Sequence, residues 1–350
     1  MNGENRIVHI DGLRGLAVLL MVLVHAAATW EPELSGPWLF FGVLVSAAGG
    51  LAAPLFVALL GWGMAKKWLS VSKRVWRAGF LFLCQFLVNL SAPHLFNLWT
   101  PGVLSLMGAL VLLEPAWRRV CGRLGDLRKP FAIAFAGTVG LTFILSPWQG
   151  PSAWDPRVST ETAVVFLQHM TITGLYPVFP WVVFAWFGHL VASIKDRNLR
   201  ERWLWRSTVV GLLLSAAVLL RSLEQGRQWA LPTGDAALTF FPANGAFLIA
   251  ALTGVSLLWW VAERFPFTDR LADLGRVSLT VYVFHFLPFT VFHAYDDIHQ
   301  WSPVLTVLVV VFYTMAWSFV GTWLSRSMHF ITLEAWMKRL EPSSYREQTD

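Results

Sequence analysis

Leu13-Arg-Gly-Leu-Ala-Val-Leu-Leu-Met-Val-Leu-Val-His25-Ala-Ala-Ala-Thr29 is the run on which the fold turns. A helix that crosses about 30 Å of hydrocarbon needs roughly 20 mainly apolar residues, each rising 1.5 Å. With its flanks, this run meets that length. No small-residue cleavage site follows it, so it reads as a permanent first span and not a cleaved signal peptide. Working outward, nine more runs of the same character follow: Ala47–Ala65, Ala78–Leu90, Gly102–Leu113, Phe131–Leu145, Leu175–Ile194, Ser207–Leu220, Gly245–Ala262, Ser278–His293 and Val304–Leu324. The third and fourth spans of the resulting set are short and would need tilting, a break or their polar flanks. The expectation is an all-α, polytopic transmembrane bundle of about ten spans, forming a single domain over residues 1–340 with a polar tail at 341–350.

Composition points the same way. Of 350 residues, 56% are hydrophobic and only 14% charged, and the mean hydropathy is +0.55. Soluble domains carry about 45–50% apolar and about 25% charged residues. Twenty Trp and 26 Phe suit a bilayer and its two interfaces. A soluble enzyme, a secreted disulfide scaffold and a disordered chain are all excluded. Cys84 and Cys121 have neither metal-ligand nor disulfide spacing, and no metal site is expected.

The net charge of +6 does not indicate nucleic acid, because the cations lie in short connections between apolar runs. On alternate connections and both termini fall 24 of the 27 Lys and Arg, leaving Arg157, Arg221 and Arg227 for the other side. Such a bias places both termini in the cytoplasm. The expected location is a cytoplasmic (inner) membrane, crossed many times.

Ionisable groups within a span are costly and face a cavity or a partner. From Arg14 to His25 is eleven residues, a rotation of about 1100°, or about 20° beyond three full turns. Both side chains therefore share one helix face, about 16 Å apart along its axis. Asp11 is placed one turn before Arg14 to pair with it. Taken singly, Arg14 reads as well as a snorkelling side chain and His25 as an interhelical hydrogen bond. On one face together they favour a polar track entering from the cytoplasm.

Other polar positions join them as candidates. His94 and Asn97 lie in an uncharged extracytoplasmic connection, and Asn244 opens the eighth span, where it reads equally as a helix cap. Tyr282 and His285 lie one turn apart, and Pro288 would bend their helix. His189 reads as a cap of carbonyls at the end of the sixth span. Gly49 and Gly50 read as a close helix contact. No phosphate-binding glycine loop, metal-spaced His/Cys set or nucleophile elbow is present.

The first-span stretch Ile-Asp-Gly-Leu-Arg-Gly-Leu-Ala-Val-Leu-Leu-Met-Val-Leu-Val-His, ending at His25, resembles integral-membrane acyltransferases. In acyltransferase family 3 an Arg, ten residues and a His form the signature of this helix. Residues 52–65 (Ala-Ala-Pro-Leu-Phe-Val-Ala-Leu-Leu-Gly-Trp-Gly-Met-Ala), 176–189 (Tyr-Pro-Val-Phe-Pro-Trp-Val-Val-Phe-Ala-Trp-Phe-Gly-His) and 274–285 (Leu-Gly-Arg-Val-Ser-Leu-Thr-Val-Tyr-Val-Phe-His) are similar to bacterial proteins of the heparan-alpha-glucosaminide N-acetyltransferase type. The chain departs from those relatives at Ser105, where many carry a His, and in the connection Glu31 to Leu39, which lacks a His-rich stretch.

The resemblance implies transfer of an acyl group, acetyl first, from cytoplasmic acyl-CoA to a hydroxyl or amine of a carbohydrate, lipid-linked or small-molecule acceptor. It assigns His25 as general base or transient acyl carrier, with Asp11 orienting Arg14 at the donor-side mouth. Arg14, Lys66, Lys67, Lys73, Arg74 and Arg276 would meet the donor phosphates. His94, Asn97, Asn244, Tyr282 and His285 would lie on the acceptor side. The bilayer and acyl-CoA are the expected partners, and an apolar surface in lipid permits a homodimer. On physical grounds alone, a small-molecule or proton-coupled carrier fits the same buried charges.

Overall fold

The computed structural model describes residues 7–31, 34 and 36–342. Arg6 and Arg346, counted above among the inside charges, lie outside the described residues, as do parts of the 31–39 connection and most of the 341–350 tail. Among the described residues regular structure is almost entirely helical. The exception is a parallel pair of two-residue strands, β1 (Ala230–Leu231) and β2 (Leu238–Thr239).

Apart from short helices at Asp155–Val158 and Tyr295–His299, the helices are α1 (Val8–Trp30), α2 (Leu39–Lys66), α3 (Val71–Ser91), α4 (Val103–Leu124), α5 (Arg128–Ile144), α6 (Ala163–Gln168), α7 (Val178–Ser193), α8 (Arg197–Glu224), α9 (Gly245–Arg264), α10 (Ala272–Gly275), α11 (Ser278–Phe284), α12 (Leu287–Phe292), α13 (Pro303–Ser327) and α14 (Leu333–Arg339). Several start where a short polar side chain takes an orphan amide. Asp196 accepts from Asn198 N at the start of α8, Ser302 accepts from Leu305 N before α13, and Thr332 accepts from Ala335 N before α14.

Helices lie over all ten apolar runs, but fewer qualify as spans. By length and composition, five described helices can cross a membrane: α1, α2, α8, α9 and α13. Two bent pairs raise the number to seven if each counts as one span: Ala163–Thr173 with Val178–Ser193, bent by 50°, and Pro266–Gly275 with Ser278–His299, bent by 64°. The other three runs fall short for a physical reason. Helix α3 begins among Lys73, Arg74 and Arg77, α4 ends among Arg118, Arg119 and Arg123, and α5 has 17 residues. Pro288 does interrupt its helix: α11 stops at Phe284, and α12 restarts with Pro288 in its first turn.

The chain gathers into two compact units. One comprises the described residues up to Phe56 with Leu90–His94 and Val261–Leu340; the other comprises Val57–Asn89, Leu95–Trp260, Glu341 and Pro342.

In the first unit, α1 lies against the 266–275 segment through glycine on both sides. Gly12 faces the backbone of Thr268, Gly15 that of Leu271, and Gly275 that of Asp11. Around this contact Leu13, Ala17, Val18 and Leu274 are fully buried. Gly49 abuts Val24, as a close helix contact requires. No atom lies within 4 Å of a side chain added at Gly50.

In the second unit, α2 and α7 cross where Gly61 meets Ala185 O and Gly188 meets Ala58 O. Between α3 and α4 runs a buried amide chain. Gln85 Nε2 donates to Asn89 Oδ1 at 3.0 Å, and Asn89 Nδ2 donates to the carbonyls of Leu98 and Thr100. Gln85 Oε1 accepts from Leu104 N at 3.2 Å. Arg157, 1% exposed, donates to the carbonyls of Gln149, Gly150, Thr173 and Gly174. A planar fork of donors ties the short helix Asp155–Val158 to the segments at 149–150 and 173–174 in this way. Helix α8 presents Leu212, Leu213, Leu214, Leu220 and Leu223 outward, as hydrocarbon contact requires.

Candidate active site

Within the first unit, the polar track predicted on α1 meets the broken helix α11–α12. His25 Nδ1 and His285 Nε2 lie 2.9 Å apart, with near-parallel rings, 6° between planes and 5.1 Å between centroids. His285 is fully buried, and its Nδ1 lies 3.1 Å from Val281 O in the preceding turn. That carbonyl accepts only, so His285 carries its proton on Nδ1 and leaves Nε2 bare. His285 Nε2 then accepts from His25 Nδ1–H, and His25 Nε2 is left with a free lone pair. One backbone carbonyl thus fixes two tautomers in series.

The surroundings hold the pair in place. The Tyr313 hydroxyl donates to the carbonyl of His285. The Trp30 indole donates to Phe292 O at 2.9 Å. Tyr282, 6% exposed, has its ring 6.3 Å from that of His25, and Phe286 lies 4.6 Å from the same ring. Trp317 stands edge-on to His285 at 6.5 Å.

Toward the start of α1, Arg14 Nη1 donates to Asp11 Oδ1 at 3.1 Å, with Asp11 buried. The 273–276 segment repeats that arrangement: Arg276 Nη1 donates to Asp273 Oδ1 at 2.9 Å, and Arg326 Nε donates to Asp273 Oδ2 at 2.6 Å. The Arg14 and Arg276 side chains are each 37% exposed, so their charges remain available to a ligand.

Glu334 escaped the sequence reading. Its Oε1 accepts from Leu279 N at 2.6 Å and Thr280 N at 3.3 Å, and its Oε2 accepts from the Thr280 hydroxyl at 2.6 Å. The carboxylate therefore caps α11, the helix that leads to Tyr282 and His285. Nothing in the surrounding Ile-Thr-Leu-Glu-Ala-Trp marks this, because the partner lies more than fifty residues upstream. Burial pushes the Glu334 carboxyl up, against the pull of its hydrogen bonds.

A folded pKa above the unfolded one means the native state holds more protons between the two values, so stability falls as pH rises through that window. Glu334→Gln removes the effect. The wild-type Tm minus the variant Tm, followed in detergent from pH 4.5 upward, should decline; parallel profiles would contradict the placement.

A family model described as an acyltransferase domain matches residues 7–323. The chain belongs to acyltransferase family 3. It is a membrane-embedded acyltransferase in the general sense of that family. No curated protein matches the chain.

The remaining predicted residues of this acyltransferase fall as follows. His94 stacks on His293, rings 4.6 Å apart and 12° from parallel, in the first unit but in a pair separate from His25 and His285. Asn97 is exposed in the second unit, its backbone carbonyl accepting from Thr100 N. Asn244 is a helix cap: Oδ1 accepts from Phe247 N at 2.9 Å and Nδ2 donates to Ala237 O.

Lys66, Lys67, Lys73 and Arg74 belong to the second unit. Lys66 donates to Ala192 O at 3.1 Å, and Arg74 lies over the Trp68 ring. His189 does not cap through Nδ1, which is buried without a partner. Among the described residues, no three His, Cys, Asp or Glu side chains gather as a metal site would require.

Proposed function

We propose that this acyltransferase moves an acyl group, acetyl in the first instance, from cytoplasmic acyl-CoA to a hydroxyl or amine of a carbohydrate or lipid-linked acceptor. The observation that carries the reading is the chain Val281 O, His285, His25, which leaves His25 Nε2 unprotonated. In the proposed reaction the acceptor O–H or N–H gives its proton to His25 Nε2 as the heteroatom attacks the thioester carbonyl. The tetrahedral adduct then expels the CoA thiolate, which leaves as the thiol after taking up that proton. His285 orients the base and shares the charge of the imidazolium, as the third member of a nucleophile–base–orienter set does.

Arg14, fixed by Asp11, is the proposed contact for donor phosphates, with Arg276 beside its own aspartate. Lys66, Lys67, Lys73 and Arg74 are proposed to meet donor phosphates on the second unit. We further propose ten spans with both termini in the cytoplasm, which the distribution of Lys and Arg supports, and residence in a bacterial inner membrane. Family membership favours acyl transfer over the carrier reading.

Acetyl-CoA titrated into the detergent-purified protein should raise its Tm, as any ligand of the native state does. Arg14→Ala should weaken that shift and raise the donor KM. Absence of any shift with acetyl-CoA or longer acyl-CoAs, in protein shown to be folded, would overturn the donor assignment.

A further inference from the structure

A cavity of about 390 Å³ opens on the surface of the first unit, between the broken helix α11–α12 and the span α13. Phe284 and Pro288 line one side, Trp317 and Val320 the other, and Ile331 joins them from beyond the end of α13. Thr280 brings a hydroxyl to the lining, and that hydroxyl is committed: it donates to Glu334 Oε2 and accepts from Leu333 N. Every other lining side chain is aliphatic or aromatic. Both walls belong to segments long and apolar enough to cross a membrane, so the cavity opens into hydrocarbon. A buried water needs two to four polar partners, which this lining does not supply. Its complement is a hydrocarbon chain.

Charge identifies the molecule that carries the chain. Arg326 meets Asp273, and Glu334 meets Leu279 and Thr280, so the end of α13, helix α14 and the 273–280 segment lie together. Among the described residues of 264–276 and 326–340, the exposed charged side chains are Arg264, Arg270, Arg326, Lys338 and Arg339, all cations. The acids Asp273 and Glu334 are occupied by hydrogen bonds. Phe265, Phe267, Trp323, Phe330 and Trp336 are exposed between these cations. Aromatic rings interleaved with Lys and Arg are how a protein surface meets the anionic headgroups of a leaflet. Lys338 follows Glu334 by one helical turn and so shares its face of α14, the face that reaches Thr280 in the cavity lining.

We infer that the first unit holds an anionic phospholipid, with one acyl chain in the cavity beside Trp317 and Val320 and its headgroup phosphate at Lys338 and Arg339. The inference is independent of the donor and acceptor proposed above. The chain packs against both halves of the broken helix, where Pro288 has released backbone groups and left no continuous ladder to stiffen it. Trp317, in the cavity wall, stands edge-on to His285. The lipid therefore braces the wall behind the His25–His285 pair and stabilises the fold there.

The test adds dioleoylphosphatidylglycerol or dioleoylphosphatidylcholine to the delipidated full chain in detergent, reading Tm and, by native mass spectrometry, the number of lipids retained. Wild type should retain one phosphatidylglycerol, rise in Tm, and prefer it to phosphatidylcholine by about tenfold, as attraction to the basic surface requires. Val320→Trp fills the cavity with a ring and should lose the retained lipid and the Tm rise. Lys338→Gln combined with Arg339→Gln should keep the chain site and bring the two lipids to near equality. If Val320→Trp does not fold, the wild-type preference and the double variant decide. Equal stabilisation of wild type by both lipids, or by neither, would overturn the inference. So would retention of the lipid by folded Val320→Trp protein, which would place the chain elsewhere, or an undiminished preference in the double variant, which would place the headgroup elsewhere.

Discussion

Acyl transfer by the His25→Ala variant is expected to fall by about 10²–10⁴-fold, the range a positioned general base supplies, while the protein still folds and inserts. The size of the effect follows from the tautomer chain. In the proposed mechanism His25 Nε2 is a usable base only because His25 Nδ1 is committed to His285 Nε2 at 2.9 Å, and that commitment holds only because His285 Nδ1 is committed to Val281 O. His285→Phe keeps an aromatic ring of similar shape but removes the acceptor, so it should also lower turnover. The loss should be smaller than for His25→Ala, because the base remains while its orientation is freed. The measurement is thiol release from acetyl-CoA in the presence of acceptor, alongside Tm for each variant. Substantial turnover by folded His25→Ala protein would remove His25 from the chemistry. Loss in His285→Phe with full activity in His25→Ala would reverse the two roles.

The parts of this site that a reader of the sequence can find are those governed by local periodicity. Arg14 and His25 share one face of α1 because eleven residues bring a helix back to the same side, and the Asp11–Arg14 pair at 3.1 Å follows from one helical turn. The helical membrane class is legible for a broader reason: in hydrocarbon every backbone amide must be satisfied within its own segment, so apolar runs become helices. The count of spans is less legible. A run such as Ala78–Leu90 shows its apolar core and hides how far the helix extends into charged flanks at Lys73 and Arg74.

Tertiary partnerships are the least legible. His285 and Tyr282 could be picked out as one turn apart, but no local rule pairs a residue with another 260 positions away, and His285 becomes an orienting partner of His25 in the proposed mechanism. His293, stacked on His94, lay unmarked in the sequence for the same reason. Glu334 was invisible because its role is to cap a helix whose first residues lie far upstream. Asn244 shows the opposite case. The position before an apolar run offers a cap as one of two readings, and the hydrogen bond from Phe247 N makes it one.

Adding a single methyl at Gly275 should damage the first unit more than most larger changes elsewhere. A Cβ built there would overlap the carbonyl oxygen of Asp11 and lie 2.7 Å from Asp11 C and 2.9 Å from Gly15 N. These are main-chain atoms of α1, which cannot rotate away as a flexible side chain would. Relief requires α1 and the 272–275 helix to separate, and separation opens the packing around Leu13, Ala17 and Leu274, each 0% exposed. Overpacking of a filled core costs about 1–3 kcal/mol, and a clash of backbone on backbone belongs at or above the top of that range.

The same shift would displace Asp11 and Arg14 from their positions on α1, so donor binding should suffer along with stability. Gly137, in α5, provides the control: nothing lies within 4 Å of a Cβ added there, and Gly→Ala inside a helix is favourable by about 0.5–1 kcal/mol. Gly137→Ala should therefore match or exceed the wild-type Tm, while Gly275→Ala should show a clear drop in Tm and in the fraction recovered monodisperse from detergent. A Gly275→Ala protein as heat-stable as Gly137→Ala would mean that α1 and the 266–275 segment are not packed backbone to backbone, and the register that aligns the Asp11–Arg14 and Asp273–Arg276 pairs would lose its physical basis.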